Sequence, residues 1–134
     1  MRYTYLMAAD RGVAVPYKDI VKHDAHGTAR DVWHAPGVVG EPCFIPRLGR
    51  ASVTEGAEDD GWVLVQMYDH VKCQTDYVIL DAQKLGAGPV CTLHVGHHIP
   101  YAFHGTFTPN VFTHPPSKVS KPRKPIKKLA KARL

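Results

Sequence analysis

A chain of 134 residues, 44% hydrophobic and 22% charged, has the composition of one small globular unit. No apolar run approaches the roughly 20 residues that span a bilayer, and Met1-Arg2-Tyr3-Thr4-Tyr5-Leu6-Met7 lacks the long apolar core of an export signal, which predicts a cytoplasmic protein. The net charge of +5 resides at one end: eight of the 17 Lys and Arg residues follow Pro116 with no acid among them, so the remainder, set against 12 acids, is mildly acidic.

Residues 1 to about 112 read as short strands broken by turns. Arg2 to Ala8 is aromatic and apolar, with Tyr3 and Tyr5 alternating as in a half-buried strand. Ile20 to His23 and Thr28 to Trp33 flank Asp24-Ala25-His26-Gly27, a hairpin turn. Pro42 and Pro46 enclose Cys43 to Ile45 and confine it to a strand edge or end. Trp62 to Tyr68 is the strongest strand pattern, and Tyr77 to Leu80 pairs with it across Asp69 to Asp76. Asp81 to Leu85 forms a single turn ahead of Gly86-Ala87-Gly88-Pro89, and Val90 to Val95 and Tyr101 to Phe107 complete the set of strands. No segment carries a helical apolar period over three turns. This pattern is all-β and fits a sandwich or a propeller equally.

After Phe112 the composition changes. Thr113-His114-Pro115-Pro116 breaks regular structure, and residues 113–134 form a Lys- and Pro-rich tail with too little apolar surface to fold alone. Ile126 to Leu134 could form a short basic helix on an anionic surface. The tail raises a binding-module reading, with nucleic acid or anionic lipid as partner and a steep salt dependence.

Cys43, Cys73 and Cys91 are odd in number and show no Cys-x-x-Cys spacing, which disfavours a disulfide framework or thiolate zinc site and predicts buried or half-buried free thiols. His94, His97, His98 and His104 lie close together, and imidazole suits iron, copper and zinc. A strand ending at Val95 followed by Pro100 would aim the four rings apart, so a single local site is not expected and His94, His97 and His98 are placed in solvent. Glu58-Asp59-Asp60 lacks the further ligands of a calcium loop and reads as a solvated turn. No Ser/His/Asp or Cys/His signature is present, and Gly86-Ala87-Gly88 lacks the Lys-Ser/Thr of a phosphate loop. No catalytic acid, base or nucleophile is assigned.

Four segments occur in a fixed order: Gly40-Glu41-Pro42-Cys43-Phe44-Ile45-Pro46-Arg47, Glu58-Asp59-Asp60-Gly61-Trp62, Tyr77-Val78-Ile79-Leu80-Asp81-Ala82, and Ile99-Pro100-Tyr101-Ala102-Phe103-His104-Gly105. Together they resemble the C-terminal end of the carotenoid cleavage dioxygenases, including the epoxycarotenoid and lignostilbene cleavers. The resemblance covers residues 2 to about 111, about a quarter of a family member. It implies that residues 1–112 are the last one to two blades of a seven-bladed β-propeller. It implies Fe(2+) as cofactor, and O2 with a carotenoid, apocarotenoid or stilbene as substrates. His104 is then an iron ligand. Glu41 is a carboxylate behind a different ligand histidine, one upstream of this chain, fixing its tautomer and orientation. Ala102 stands where the family usually has Gly, which would cost roughly 1–2 kcal/mol if the site needs a positive φ.

The resemblance further implies that three ligand histidines and the upstream blades must come from elsewhere, so the chain alone is expected to be inactive, as a truncated product, a remnant or one part of a split enzyme. A homo-oligomer gathering several His104 side chains about an axis is a third possibility. A plastid is the alternative location if the full protein is of plant type.

Overall fold

A computed structural model describes residues 1–9, 14–47 and 58–110. The fold is all-β, as the alternation predicts, and no α-helix occurs among the described residues. Strands β1 (Tyr3–Ala8), β2 (Asp19–Asp24) and β3 (Arg30–His34) form an antiparallel sheet in sequence order. A second sheet contains β4 (Val38–Val39), β5 (Cys43–Pro46), β6 (Gly61–Asp69), β7 (Gln74–Asp81) and β8 (Pro89–His94). In it β6 pairs with β7, and β7 with β8, all antiparallel.

Both β4 and β5 pair with β6, Val38 opposite Tyr68 and Cys43 opposite Leu64. Because β7 occupies the other side of β6, β4 and β5 share one edge, interrupted at Gly40-Glu41-Pro42. Gly40 still donates its N–H to Gln66 O at 2.8 Å. Pro42 has no N–H to offer, so the ladder breaks there. The interruption turns Glu41 away from the sheet's regular pairing. The two-residue β4 was not legible in the sequence. The edge placement of β5 between its prolines matches expectation.

Alternate residues of β6 (Val63, Val65, Met67) and of β7 (Val78, Leu80) face one way and pack with Val39, Ile20, Trp33, Ala82 and Leu85 in a single core between the sheets. Each such large side chain contributes roughly 1.5–3 kcal/mol when fully buried. The single turn lies later than expected, as a 3₁₀ turn at Leu85–Ala87. Asp31 on β3 accepts from Leu85 N and Gly86 N at 2.7 and 2.8 Å, serving as a cap supplied from a distant strand.

The acidic triad is not a solvated turn. Both Glu58 carboxylate oxygens accept from Arg2 N, Asp59 Oδ2 lies 2.6 Å from Lys22 Nζ, and Asp60 Oδ1 takes Arg47 Nε at 2.9 Å. Lys22 lies on the buried side of β2, with its ammonium 4.2 Å from the Tyr3 ring centre. A buried ammonium requires a counter-charge, and the triad delivers one where β6 begins. Partial burial alone would raise the Asp59 carboxyl, but Lys22 and Gln83 outweigh it and hold it below the usual carboxylate range.

The expected strand at Tyr101 to Phe107 does not form. Residues 95–110 are assigned to no strand and are mostly exposed. Among the described residues no neighbouring strand offers this segment a ladder, so apolar alternation alone cannot make it one. The thiols also differ from expectation: Cys43 is half-buried, while Cys73 and Cys91 are exposed, and all three are free. The tail at 113–134 lies outside the described residues.

A carboxylate–imidazole pair beside an apolar pocket

The break at Gly40-Glu41-Pro42 presents Glu41 to the segment that follows β8. Glu41 Oε2 lies 3.2 Å from His104 Nδ1 and accepts from Gly105 N at the same distance. The two residues that the sequence singles out are thus brought together, although 63 positions separate them. The expected partner of Glu41 was a histidine absent from this chain; here the described partner is His104 itself. A carboxylate on Nδ1 favours the tautomer that leaves the Nε2 lone pair free and fixes the orientation of the ring. The His104 side chain is 84% exposed, so Nε2 is accessible.

Beside this pair is a cavity of about 500 Å³ lined by Met7, Tyr17, Val38, Tyr101, Phe103 and His104, among others. Its walls are mainly apolar, with one carboxylate (Glu41), one imidazole (His104) and the phenols of Tyr17 and Tyr101 among its lining residues. Tyr101 spans from the following segment to the sheets, donating its hydroxyl to Val39 O at 3.3 Å, with Met7 Sδ at 3.5 Å. Burial raises the Tyr101 phenol above its ordinary value, with Tyr17 and Glu41 adding to the effect. It therefore stays neutral, and a donor, across the physiological range. Phe103 is 81% exposed on the pocket's rim.

The other histidines do not join His104. His94 sits opposite Asp76 in the β7–β8 register, Nδ1 to Oδ1 3.1 Å, at an angle that leaves Asp76 Oδ1 without a true hydrogen bond. His98 packs edge-on to Tyr68 at 5.2 Å between ring centres. With His97 all three are exposed, as expected. Among the described residues no three His, Cys, Asp or Glu side chains gather as a metal site. Ala102 carries no positive φ; Cys73 is the described non-glycine residue that does, at 51°. The anticipated cost of a Cβ at Ala102 therefore does not arise.

Three residues that hold this segment were missed: Gln66, Thr75 and Tyr101. Gln66, polar within the otherwise apolar run of β6, was the available signal for one of them; Thr75, between Gln74 and Asp76, gave none.

The family model described as Retinal pigment epithelial membrane protein matches residues 1–109. The chain belongs to that family. Its relatives include the apocarotenoid-15,15'-oxygenase of Synechocystis, 41% identical over 109 residues, which cover 79% of this chain and 21% of the relative. The zeaxanthin 7,8(7',8')-cleavage dioxygenase of Crocus sativus is 30% identical over 111 residues, 79% of this chain and 30% of that protein. A crystal structure of cobalt-substituted Synechocystis ACO superposes with a TM-score of 0.67 at 38% identity, covering 78% of this chain and 21% of that one. The chain thus spans between about a fifth and a third of the length of these carotenoid oxygenase relatives. The recognised segments, from Gly40-Glu41-Pro42 to Phe103-His104-Gly105, all fall inside the matched region.

Proposed function

We propose that this chain is the C-terminal part of a non-haem Fe(II) dioxygenase that cleaves a carbon–carbon double bond of a carotenoid, apocarotenoid or stilbene with O2. The observation that carries the reading is the Glu41–His104 pair at the edge of an apolar cavity. Relatives named as apocarotenoid, zeaxanthin and lignostilbene cleavage enzymes support the substrate kind. The two sheets are read as successive blades of a seven-bladed propeller, whose other blades would supply the rest of the site.

The donor chemistry present fits one corner of an iron site. His104 Nε2 would be one ligand, and the cobalt-substituted form of a relative supports a divalent metal in the family. Bound iron would supply the activation of O2. Glu41 holds the His104 ring by Nδ1 and ties down Gly105, so the imidazole meets its metal already oriented. Met7, Tyr17, Val38 and Phe103 offer a polyene or stilbene an apolar bed and keep water from it. Tyr101 anchors that wall without contributing charge. One imidazole does not by itself hold iron against competing ligands, so activity requires the other blades.

A chimera tests this: residues 1–109 replace the matched segment of the Synechocystis oxygenase, and iron content and apocarotenoid cleavage are measured. Iron and cleavage present, and both lost with His104→Ala, are expected. A folded chimera whose iron content is indifferent to His104→Ala would refute the ligand assignment.

A further inference from the structure

The segment carrying His104 belongs to no strand, yet its tip meets Glu41 at hydrogen-bonding distance. Something other than a ladder must set its course. Four of the hydrogen bonds made by the residues between β8 and His104 involve one residue, Thr75, at the start of β7.

Strand alternation predicts one buried face, but Thr75 and Asp76 are buried in succession. Thr75 points away from the core shared by Val78 and Leu80 and is nevertheless fully buried. The cover is the segment itself. Thr75 N donates to His97 O at 2.9 Å, and Val95 N donates to Thr75 O at 3.3 Å. The hydroxyl then works twice: it accepts from Ile99 N at 2.9 Å and donates to Ile99 O at 3.2 Å. One strand over, Gln66 Nε2 donates to Pro100 O at 3.1 Å and to Ile99 O at 3.4 Å. Beyond these, Tyr101 bonds to Val39 O, and the next polar fixture is Glu41 on Gly105.

We propose that Thr75, seconded by Gln66, is a positioning residue for His104: its hydroxyl clamps Ile99 from both sides and thereby sets where the arm 99–105 leaves the sheet. Its importance to catalysis rests on the reading of His104 as a ligand; its effect on the arm does not. The physical case is one of entropy. An arm outside a ladder must pay for its ordering residue by residue, and one residue that binds both Ile99 N–H and Ile99 C=O fixes the dihedrals at the arm's root. A hydroxyl is the smallest side chain that can be donor and acceptor at once. Valine has nearly the same shape and can be neither, leaving Ile99 N–H without its partner and Ile99 C=O with only the longer bond from Gln66 Nε2.

The test reads amide hydrogen exchange in the metal-free full chain, at Gly105 and along the β6–β7 ladder, for wild type, Thr75→Val, Thr75→Ser and His104→Ala. Gly105 lies six residues from Ile99 and reports docking of the arm's tip on Glu41, not the local loss of a bond. Thr75→Val should speed exchange at Gly105 by about tenfold, since two hydrogen bonds of ordinary net worth are removed. The β6–β7 ladder should be unchanged, and Thr75→Ser should restore Gly105. His104→Ala should leave Gly105 protected, because Glu41 still accepts its N–H. Unchanged exchange at Gly105 in Thr75→Val, or an equal increase throughout the ladder, would overturn the proposal. Should Thr75→Val not fold, Gln66→Leu, which changes a half-buried residue outside the core, should speed Gly105 exchange by about threefold, the worth of its shorter bond to Pro100 O, the 3.4 Å bond to Ile99 O adding little; no change there also overturns it. The outcomes separate from those of the chimera. A clamp without iron loading leaves this proposal standing and ends the ligand reading, and iron loading with a free arm does the reverse.

Discussion

Removing the Asp59 carboxylate strands the Lys22 ammonium, and the cost can be worked from the geometry. The two side chains are 13% and 9% exposed, and Oδ2 lies 2.6 Å from Nζ. At an effective dielectric of about 20 the Coulomb attraction at that distance is roughly 6 kcal/mol before the cost of desolvating either ion. Breaking a wholly buried pair by deleting one partner costs about 3–5 kcal/mol. Here the ammonium retains the Tyr3 ring at 4.2 Å, which recovers about 1 kcal/mol, and Asn in place of Asp keeps a carbonyl acceptor. Asp59→Asn should therefore destabilise the fold by about 2–3 kcal/mol, a large share of a small domain's stability of about 5–15 kcal/mol. Lys22→Met removes the buried charge and keeps the apolar stem, so the double variant Lys22→Met/Asp59→Asn should lie within about 1 kcal/mol of wild type. Urea unfolding followed by the fluorescence of buried Trp33 gives all four corners of the cycle. If Asp59→Asn costs less than about 0.5 kcal/mol, or the two substitutions simply add, the triad is a surface turn after all and the seam between the sheets is apolar alone.

Acid should weaken the fold in a defined window. The Arg2 guanidinium holds Asp24 down to about 2, and Lys22 outweighs burial to hold Asp59 below its usual value; the stability these shifts confer is complete above the unfolded carboxylate value and is lost as pH falls toward about 2, so the urea midpoint should decline below pH ~4. Gly61→Ala should destabilise by about 2 kcal/mol or more, because a Cβ there runs into the Ile45 carbonyl oxygen and the Phe44 ring; a thermal melt unchanged from wild type would contradict the β5–β6 register. Among the thiols, Cys73 and Cys91 are exposed, while burial, with Glu41 adding, pushes Cys43 up, so a disulfide reagent at pH 7.5 should label two sites quickly and Cys43 slowly, read by peptide mass. Glu41→Gln in the chimera should weaken iron binding by about 10–100-fold without unfolding the protein, since a neutral amide orients the imidazole less firmly.

Much of this was legible in one dimension. Alternation of apolar side chains has a period of two, so β1, β2, β3, β6 and β7 declare themselves locally, and Pro42 and Pro46 mark β5 as an edge because they cannot donate to a ladder. His104 and Glu41 were legible as residues of interest through the order of their motifs. Their mutual contact was not, since nothing local states that a break between β4 and β5 and a segment following β8 arrive at the same place. The same blindness explains Tyr101 to Phe107, whose pattern is that of a strand: a strand exists only where a neighbour supplies the complementary N–H and C=O groups.

The sequence by itself determined the all-β class, most strand positions and the family, because those depend on side-chain periodicity and on motifs a few residues long. Tertiary structure alone decided that Asp59 of the acidic triad is the counter-charge of Lys22, that Asp31 caps a turn 54 residues away, and that Thr75 and Gln66 bond to the arm of His104. Each of these is a polar group whose burial is tolerable only with a partner, and that partner is chosen by the packing of distant strands.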